Sequence, residues 1–421
     1  MTRPLIISQG LVILVLLFCC SVVRPVPAAD WPGFRGPNGD CTSDEKELMK
    51  TWPAEGPEVL WTGQVGVGFG GVAVEDGKVY MLDRDKGKRD ILRCLDLNTG
   101  RELWRFGYDA VGNISYPGSR SHPTVDSYYV YTMSVFGQLH CVSKETHKPV
   151  WARNILKEFG MKRPTWAISQ APVIYKDKVI AAPITDEVGL VAFDKLTGRT
   201  VWKSPPLAGR ITYASAIVTN IHGVDQVLAL TTSCIAGIDA ETGAILWTNG
   251  DWECRIPVAS PAYIGHGHVF VTGGYRAGVI MLEIRREGNR FTATTKFKTN
   301  ESNGQIHQPI VYKDHIYVNG NDKSKRDGLV CMDFDGNIKW KTGRSPGFDW
   351  GGMLLADDML YVVDGNKGDL CMVRPDPSAY REVARFNLLK GKQIWGTIAL
   401  SDGKLLLRDQ SQLRCVDVRG G

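Results

Sequence analysis

The chain has 421 residues, 43% of them hydrophobic and 23% charged, with 46 Gly, 21 Pro and 10 Cys. These proportions exclude a disordered chain, a collagen-like one and a small disulfide scaffold. A formal charge of +5, from 50 basic and 45 acidic residues scattered along the chain, is too weak to mark a nucleic-acid-binding surface.

Taken in chain order, the first segment reads as an export signal. Arg3 precedes an apolar run from Leu5 to Phe18, interrupted only by Ser8, Gln9 and Gly10, and Val26-Pro27-Ala28-Ala29 supplies small residues before Asp30. This is the layout of a secretory signal peptide over residues 1–29, cut after Ala28 or Ala29. Its uninterrupted core, Leu11 to Val23, is shorter than the roughly 20 residues a spanning helix needs. Lipid anchoring at Cys19 fits less well, because the bulky Phe18 precedes it. An exported protein is therefore expected, periplasmic or extracellular, with no transmembrane segment in the mature chain. Residues 30–57, rich in Gly and Pro, are expected to form an irregular arm outside the repeats that follow.

From residue 58 onward the chain repeats itself. Gly71 to Asp83 gives an apolar strand, an Asp-Gly turn and a second apolar strand. Ile91 to Trp104 adds a third strand, an Asn-Thr-Gly turn and a short fourth strand ending in Trp. Hairpin turns recur near Asp76, Asp126, Asp177, His222, His266, Asp314, Asp357 and Asp402, a spacing of about 47 residues. The aromatic that ends the fourth strand recurs as Trp104, Trp151, Trp202, Trp247, Phe297, Trp340 and Phe386. Eight four-stranded units of this period predict an all-β fold, an eight-bladed β-propeller of four-stranded antiparallel blades over residues 58–421.

The two ends of the repeat region test that prediction. After Asp402 only two more strands follow, and the missing fourth strand is found at the other end, in Pro57-Glu-Val-Leu-Trp61. The N-terminal strand Glu58–Gln64 should therefore close the ring by completing the last blade, which removes an open sheet edge. The tryptophans Trp61, Trp104, Trp151, Trp202, Trp247 and Trp340 are then structural. Each should dock on the next blade with its indole N–H bonded, since a single site has no use for so many copies.

In Leu95-Asp-Leu-Asn-Thr-Gly-Arg-Glu-Leu-Trp104 and Ile238-Asp-Ala-Glu-Thr-Gly-Ala-Ile-Leu-Trp247 this signature resembles the pyrroloquinoline quinone (PQQ) repeat family, over about residues 58–418. The arm Asp30-Trp-Pro-Gly-Phe-Arg-Gly-Pro-Asn-Gly39 is similar to the leader of secreted bacterial PQQ-like propellers. The family divides into quinoprotein dehydrogenases and non-enzymatic propellers, such as the lipoprotein subunit of the outer-membrane barrel-assembly machinery. The alcohol-type dehydrogenases carry two adjacent cysteines over the quinone. Here the only Cys-Cys pair, Cys19-Cys20, lies in the signal. Their large active-site insertions have almost no counterpart, and no segment matches their catalytic Asp with its Ca²⁺-binding Glu and Asn. No catalytic residue is carried over. The resemblance makes PQQ with Ca²⁺ the cofactor to test for, while the residues themselves establish none.

Other chemistry is sparse. Cys94, Cys141, Cys331, Cys371 and Cys415 share one slot in the third strand of five blades, which fits buried apolar filler. Cys234 and Cys254 lie outside that slot and are the best pair for a disulfide. No C-x-x-C zinc spacing, H-E-x-x-H helix, phosphate-binding glycine loop or Ser-His-Asp set is found. Register places His266 at a hairpin tip with His268 just beyond, so a metal role is not expected. Asp83-x-Asp85-x-Gly87 lacks the closing Glu of a calcium loop.

The residues ahead of each first strand should line the mouth of the central funnel. They are Arg120, His122, Trp166, Gln170, Tyr213, Arg255, Gln305, His307, Asp349, Trp350 and Trp395. Blade one offers only the small Gly70 and Gly71 there. Aromatic faces with a few polar groups are what ligand pockets use, and a flat quinone carboxylate would suit Trp stacking and Arg pairing. The expected function is an exported, non-catalytic scaffold with an envelope protein or polymer as partner. The alternatives are a PQQ-dependent dehydrogenase with its cofactor in the funnel, and, ranked last, a glycan-binding module.

Overall fold

The computed structural model describes residues 30–420, so the expected signal segment lies outside the described residues. Apart from one helical turn, Ile155–Glu158, every helix or strand assigned there is a strand. The strands form eight sheets, seven of four strands and one of five, as an eight-bladed propeller. The inner strands, in blade order, are Val72–Glu75, Thr124–Val125, Val173–Tyr175, Ile217–Ile221, Ala262–Tyr263, Ile310–Tyr312, Met353–Ala356 and Ala399–Ser401. Each hairpin leaves its inner strand through a turn that the sequence dictates. Asp76 and Gly77, His222 and Gly223, and Asp402 and Gly403 all have positive φ. That is the mirror-image turn whose twist matches paired strands.

The Thr-Gly turns explain the tryptophan period. Asp96 Oδ1 accepts from the backbone N–H groups of Asn98 and Thr99 and from the Thr99 hydroxyl, at 2.7–3.1 Å. Asp194 and Asp239 build the same turn with Thr197 and Thr242. The following Gly198 has φ +68°, and a Cβ there would lie 2.7 Å from the Trp151 ring of the preceding blade. Only glycine suits both the dihedral and the gap. Blade two replaces this glycine with His147, which takes φ +58° and stacks on Trp104 at 4.8 Å.

Most of the blade tryptophans bond across the junction. The indole N–H of Trp61 donates to Leu97 O of blade one at 2.8 Å, Trp151 to Lys195 O at 2.9 Å, Trp202 to Ala240 O at 3.2 Å and Trp340 to Asp376 O at 2.7 Å. Trp247 differs and bonds Gln226 of its own blade at 2.8 Å, because blade five has a long hairpin, Gly278–Glu287 with Arg290–Thr299, in place of a Thr-Gly turn. The core is correspondingly divided into clusters. One joins Leu92 and Cys94 of blade one to Val125, Val130 and Val142 of blade two. The largest unites blades seven, eight and one with Trp31, Leu48 and Trp52 of the arm.

The ring closes as the repeat phase requires. Val59–Gln64 pairs antiparallel with Gln412–Asp417, setting Trp61 opposite Cys415. Arg408, fully buried in the same blade, donates to Leu82 O of blade one and to Gly66 O beyond the closing strand. The arm is more than an appendage outside the repeats. Trp31 bridges Val74 of blade one, and Pro32 O accepts from Val125 N–H of blade two. Arg35 Nη1 donates to Pro261 O of blade five at 2.9 Å. Thr42–Ser43 then pairs in parallel with Met353–Ala356, as a fifth and innermost strand of blade seven. The arm thus crosses the channel from one side to the other.

The expected Cys234–Cys254 disulfide is absent. All eight described cysteines are buried and unbonded. The two chains meet through Cys254 N–H donating to Thr232 O, but Cys254 packs with blade five and Cys234 with blade three. The thiols face different blade junctions. Burial raises the Cys254 pKa to about 11, the behaviour of an inert filler rather than a reactive thiol.

Candidate functional site

The loops that lead into the inner strands gather around one cavity of about 230 Å³ on the ring axis. Eight of the eleven residues expected at the funnel mouth line it: Arg120, His122, Trp166, Tyr213, Gln305, His307, Trp350 and Trp395. Three do not. Gln170 is buried behind the wall, where its amide donates to Thr212 O. Arg255 is exposed. Asp349 serves through its backbone, whose carbonyl accepts from Asn319 Nδ2 at 3.2 Å.

Two aromatic walls face the cavity. On one side Trp395 stacks on Phe69 at 5.3 Å and meets Trp350 edge-on at 4.8 Å, with Tyr116 tilted against it at 5.5 Å. On the other, Trp166 leans on Tyr213 at 5.5 Å, and the Tyr213 hydroxyl accepts the Trp166 backbone N–H. The floor is Phe34 of the arm, set edge-on to the His122 ring at 5.9 Å. Gly71 earns its place by having no side chain, since a Cβ would collide with Thr397 Oγ1 and lie 2.8 Å from His122 Nε2.

The polar groups fall into two kinds. Some are spent on the wall itself. The Trp350 indole donates to Asn321 O at 3.0 Å, His307 Nε2 donates to Trp350 O at 2.8 Å, and Ser169 donates to Tyr213 O. Others have no protein partner: His122 Nε2, Arg120 Nη1, the Trp395 indole N–H and Thr397 Oγ1. His122 is 2% exposed, and its Nδ1–H donates to Pro123 O at 3.0 Å, which leaves Nε2 as a bare acceptor. Burial lowers the pKa of His122 to about 4, and that of His307 likewise, so both rings are neutral at pH 7. Arg120 Nη2 donates to the carbonyls of Ser115 and Tyr116, and no acidic side chain pairs with its guanidinium.

Several lining residues gave no signal in the sequence. Phe69 and Thr397 sit in the same loops as the predicted set, one residue before Gly70 and two after Trp395. Phe34 lies in the aperiodic arm. Tyr116 and Tyr275 belong to loops whose path no repeat predicts.

The lining contains no Asp or Glu, and among the described residues no group of three or more His, Cys, Asp or Glu comes together. Ca²⁺ takes six to eight oxygen ligands, carboxylates prominent among them. The donor set around this cavity does not fit that ion.

These features define a closed eight-bladed propeller of the PQQ-repeat class with a small aromatic cavity on its axis. A family model described as outer membrane protein assembly factor BamB matches residues 87–250 and, overlapping, 231–397, and the chain belongs to that family. The outer membrane protein assembly factor BamB of Shewanella oneidensis is 23% identical over 280 residues, covering 66% of this chain. The match spans 65% of that relative's own length, just under two thirds. The crystal structure of BamB from Moraxella catarrhalis superposes with a TM-score of 0.61 at 14% identity, covering 86% of this chain and 98% of that one. A europium-containing methanol dehydrogenase gives 0.62 at 14% identity, covering 93% and 90%. The quinohemoprotein alcohol dehydrogenase of Comamonas testosteroni gives 0.62 at 12%, covering 93% and 81%. At these identities the structural likenesses show the fold alone.

Proposed function

We propose that the chain is an exported, non-catalytic propeller that serves as a binding or assembly scaffold in the cell envelope. The observation that carries this reading is the paired match of a BamB family model to both halves of the ring. The lack of a carboxylate set around the axial cavity agrees with it. By that likeness, the partner is a component of outer-membrane protein assembly. Two measurements test the proposal: co-purification of the tagged protein with envelope β-barrel assembly proteins, and the level of outer-membrane proteins in a deletion strain. Co-purification together with reduced levels is expected. Unchanged levels with no envelope protein retained would overturn it.

The second reading, a quinone-dependent dehydrogenase, draws on the aromatic walls and the unpaired Arg120. Adding PQQ with and without Ca²⁺ and following absorbance and dye-linked oxidation of alcohols and sugars tests it. Saturable binding with turnover is the result it requires.

A further inference from the structure

The two ends of the ring treat their charges differently. A blade of four antiparallel strands returns the chain to the end from which it set out, so the loops leading into the inner strands all lie at one end. The hairpin turns and the Thr-Gly turns lie at the other. At the turn end lysines meet carboxylates of neighbouring turns: Lys78 with Asp76 at 2.9 Å, Lys178 with Asp177 at 2.7 Å and Lys195 with Asp126 at 3.1 Å.

At the loop end the cations are left over. Among the described residues, no Lys or Arg of the lead-in loops enters an ion pair. The acids of these loops are fewer. Glu158 and Glu301 are already paired with the strand residues Arg153 and Lys341, and Asp251 accepts from the Thr295 hydroxyl, which leaves Glu253 and Asp349. The cations also follow the aromatics. Arg163 stands three residues before Trp166, Arg210 three before Tyr213 and Lys392 three before Trp395. All three cations are exposed, and the three aromatics are half-buried and line the axial cavity. Lys323 sits 4.2 Å above the Trp350 ring, and Tyr116 and Tyr275 are 41% and 42% exposed at the rim.

Exposed charges of this kind contribute little to stability. Charges of one sign around a concave mouth instead draw in and orient a partner of the other sign. Tyr, Trp and Arg are also the side chains that dominate protein interfaces. Phe34 of the arm floors the cavity, which leaves the loop end as its mouth.

We propose that the loop end is a docking surface for an acidic polypeptide segment. An apolar side chain of the partner enters the aromatic cavity, and carboxylates on either side of it meet the cations of the rim. This names the chemistry of the partner within the scaffold reading and rests on that reading.

The test is fluorescence anisotropy of the labelled peptide Gly-Glu-Asp-Trp-Asp-Glu-Gly titrated with the intact protein. Saturable binding at low salt is expected, weaker by about ten-fold or more at about 0.5 M salt. The analogue with Lys at each acidic position should not bind, and Ala in place of Trp should weaken binding about ten-fold. Combining Arg163→Glu, Arg210→Glu and Lys392→Glu should weaken it about ten-fold or more, with an unchanged urea midpoint. Arg101→Glu with Arg199→Glu, at the turn end, should leave it unchanged. No saturable binding of the acidic peptide by the wild-type protein overturns the proposal. So does equal binding of the lysine peptide, or an equal loss from the two sets of substitutions. Tighter binding of phosphatidylglycerol vesicles than of the peptide overturns it in favour of an anionic membrane surface. Co-purification repeated with the loop-end variant separates this inference from the scaffold reading. Envelope proteins retained by wild type and variant alike leave the scaffold standing and remove this surface. If the wild type retains none, the scaffold reading fails, and the peptide titration still decides the surface by itself.

Discussion

The blade junctions and the axial cavity are both lined with tryptophan, yet only the junctions use its indole N–H to join one blade to the next. At the junctions the indole N–H groups of Trp61, Trp151, Trp202 and Trp340 reach carbonyls of the adjoining blade. At the axis Trp350 bonds Asn321 O within the same wall, and the buried indole N–H of Trp395, like Arg120 Nη1 and His122 Nε2, has no protein partner. Satisfied and periodic groups hold the ring together. At the axis it is mainly aromatic faces that line the space. Residue type alone would not separate the two, and the bond across a junction does.

This contrast can be broken or sharpened by substitution. The largest effect is expected at a junction. Trp151→Ala removes a 9% exposed ring and its bond to Lys195, and should cost about 3–5 kcal/mol, read as a lower urea midpoint. A comparable loss at Trp395 would break the distinction.

The second effect is a pH dependence set by buried histidines, two of them at the axis and a third, His140, packed against Tyr108, whose pKa burial also lowers to about 4. His122 and His307 have pKa values lowered from 6.5 to about 4 by burial. Between those values the unfolded chain takes up protons that the folded rings refuse, so stability falls as pH drops from about 6.5 towards 4. At neutral pH and above, neither ring contributes to the slope. The loss should reach on the order of 3 kcal/mol per ring at the low end. Denaturant midpoints at pH 7 and pH 4.5 measure it, and His122→Gln should flatten the dependence.

A smaller loss is expected for Gly198→Ala. The added methyl meets Trp151 and must hold a left-handed backbone, with an expected cost of about 1–3 kcal/mol. The smallest effect belongs to Thr397→Val, which deletes an unpartnered hydroxyl. It should change stability by less than about 1 kcal/mol, in the stabilising direction if at all, read as the shift in urea midpoint.

The ring was legible because repetition amplifies weak signals. One hairpin turn says little, but eight at a steady spacing specify both blade number and closure, including Glu58–Gln64 opposite Gln412–Asp417. The cavity was partly legible for the same reason, since register located Arg120, His122 and Trp395 ahead of their inner strands. What escaped was aperiodic. Nothing in Asp30-Trp-Pro-Gly-Phe-Arg shows that the arm crosses the channel, because its anchors at Val74, Pro261 and Leu355 are scattered through the chain. The disulfide expectation failed on side-chain direction. The two segments meet where Cys254 N–H bonds Thr232 O, but the thiols pack into different blade junctions.

The strand additions at blades seven and eight also set an order of events. Residues 42–43 and 59–64, made early, find their partners only at 355–356 and 412–416. A chain made from its N-terminus cannot finish these sheets until residues 355–416 have been made. Contacts of such long sequence separation are slow to form, and their exposed edges invite mispairing in the interval. The architecture that closes its ring only at the last blade therefore places its greatest vulnerability in the time before that blade's strands arrive.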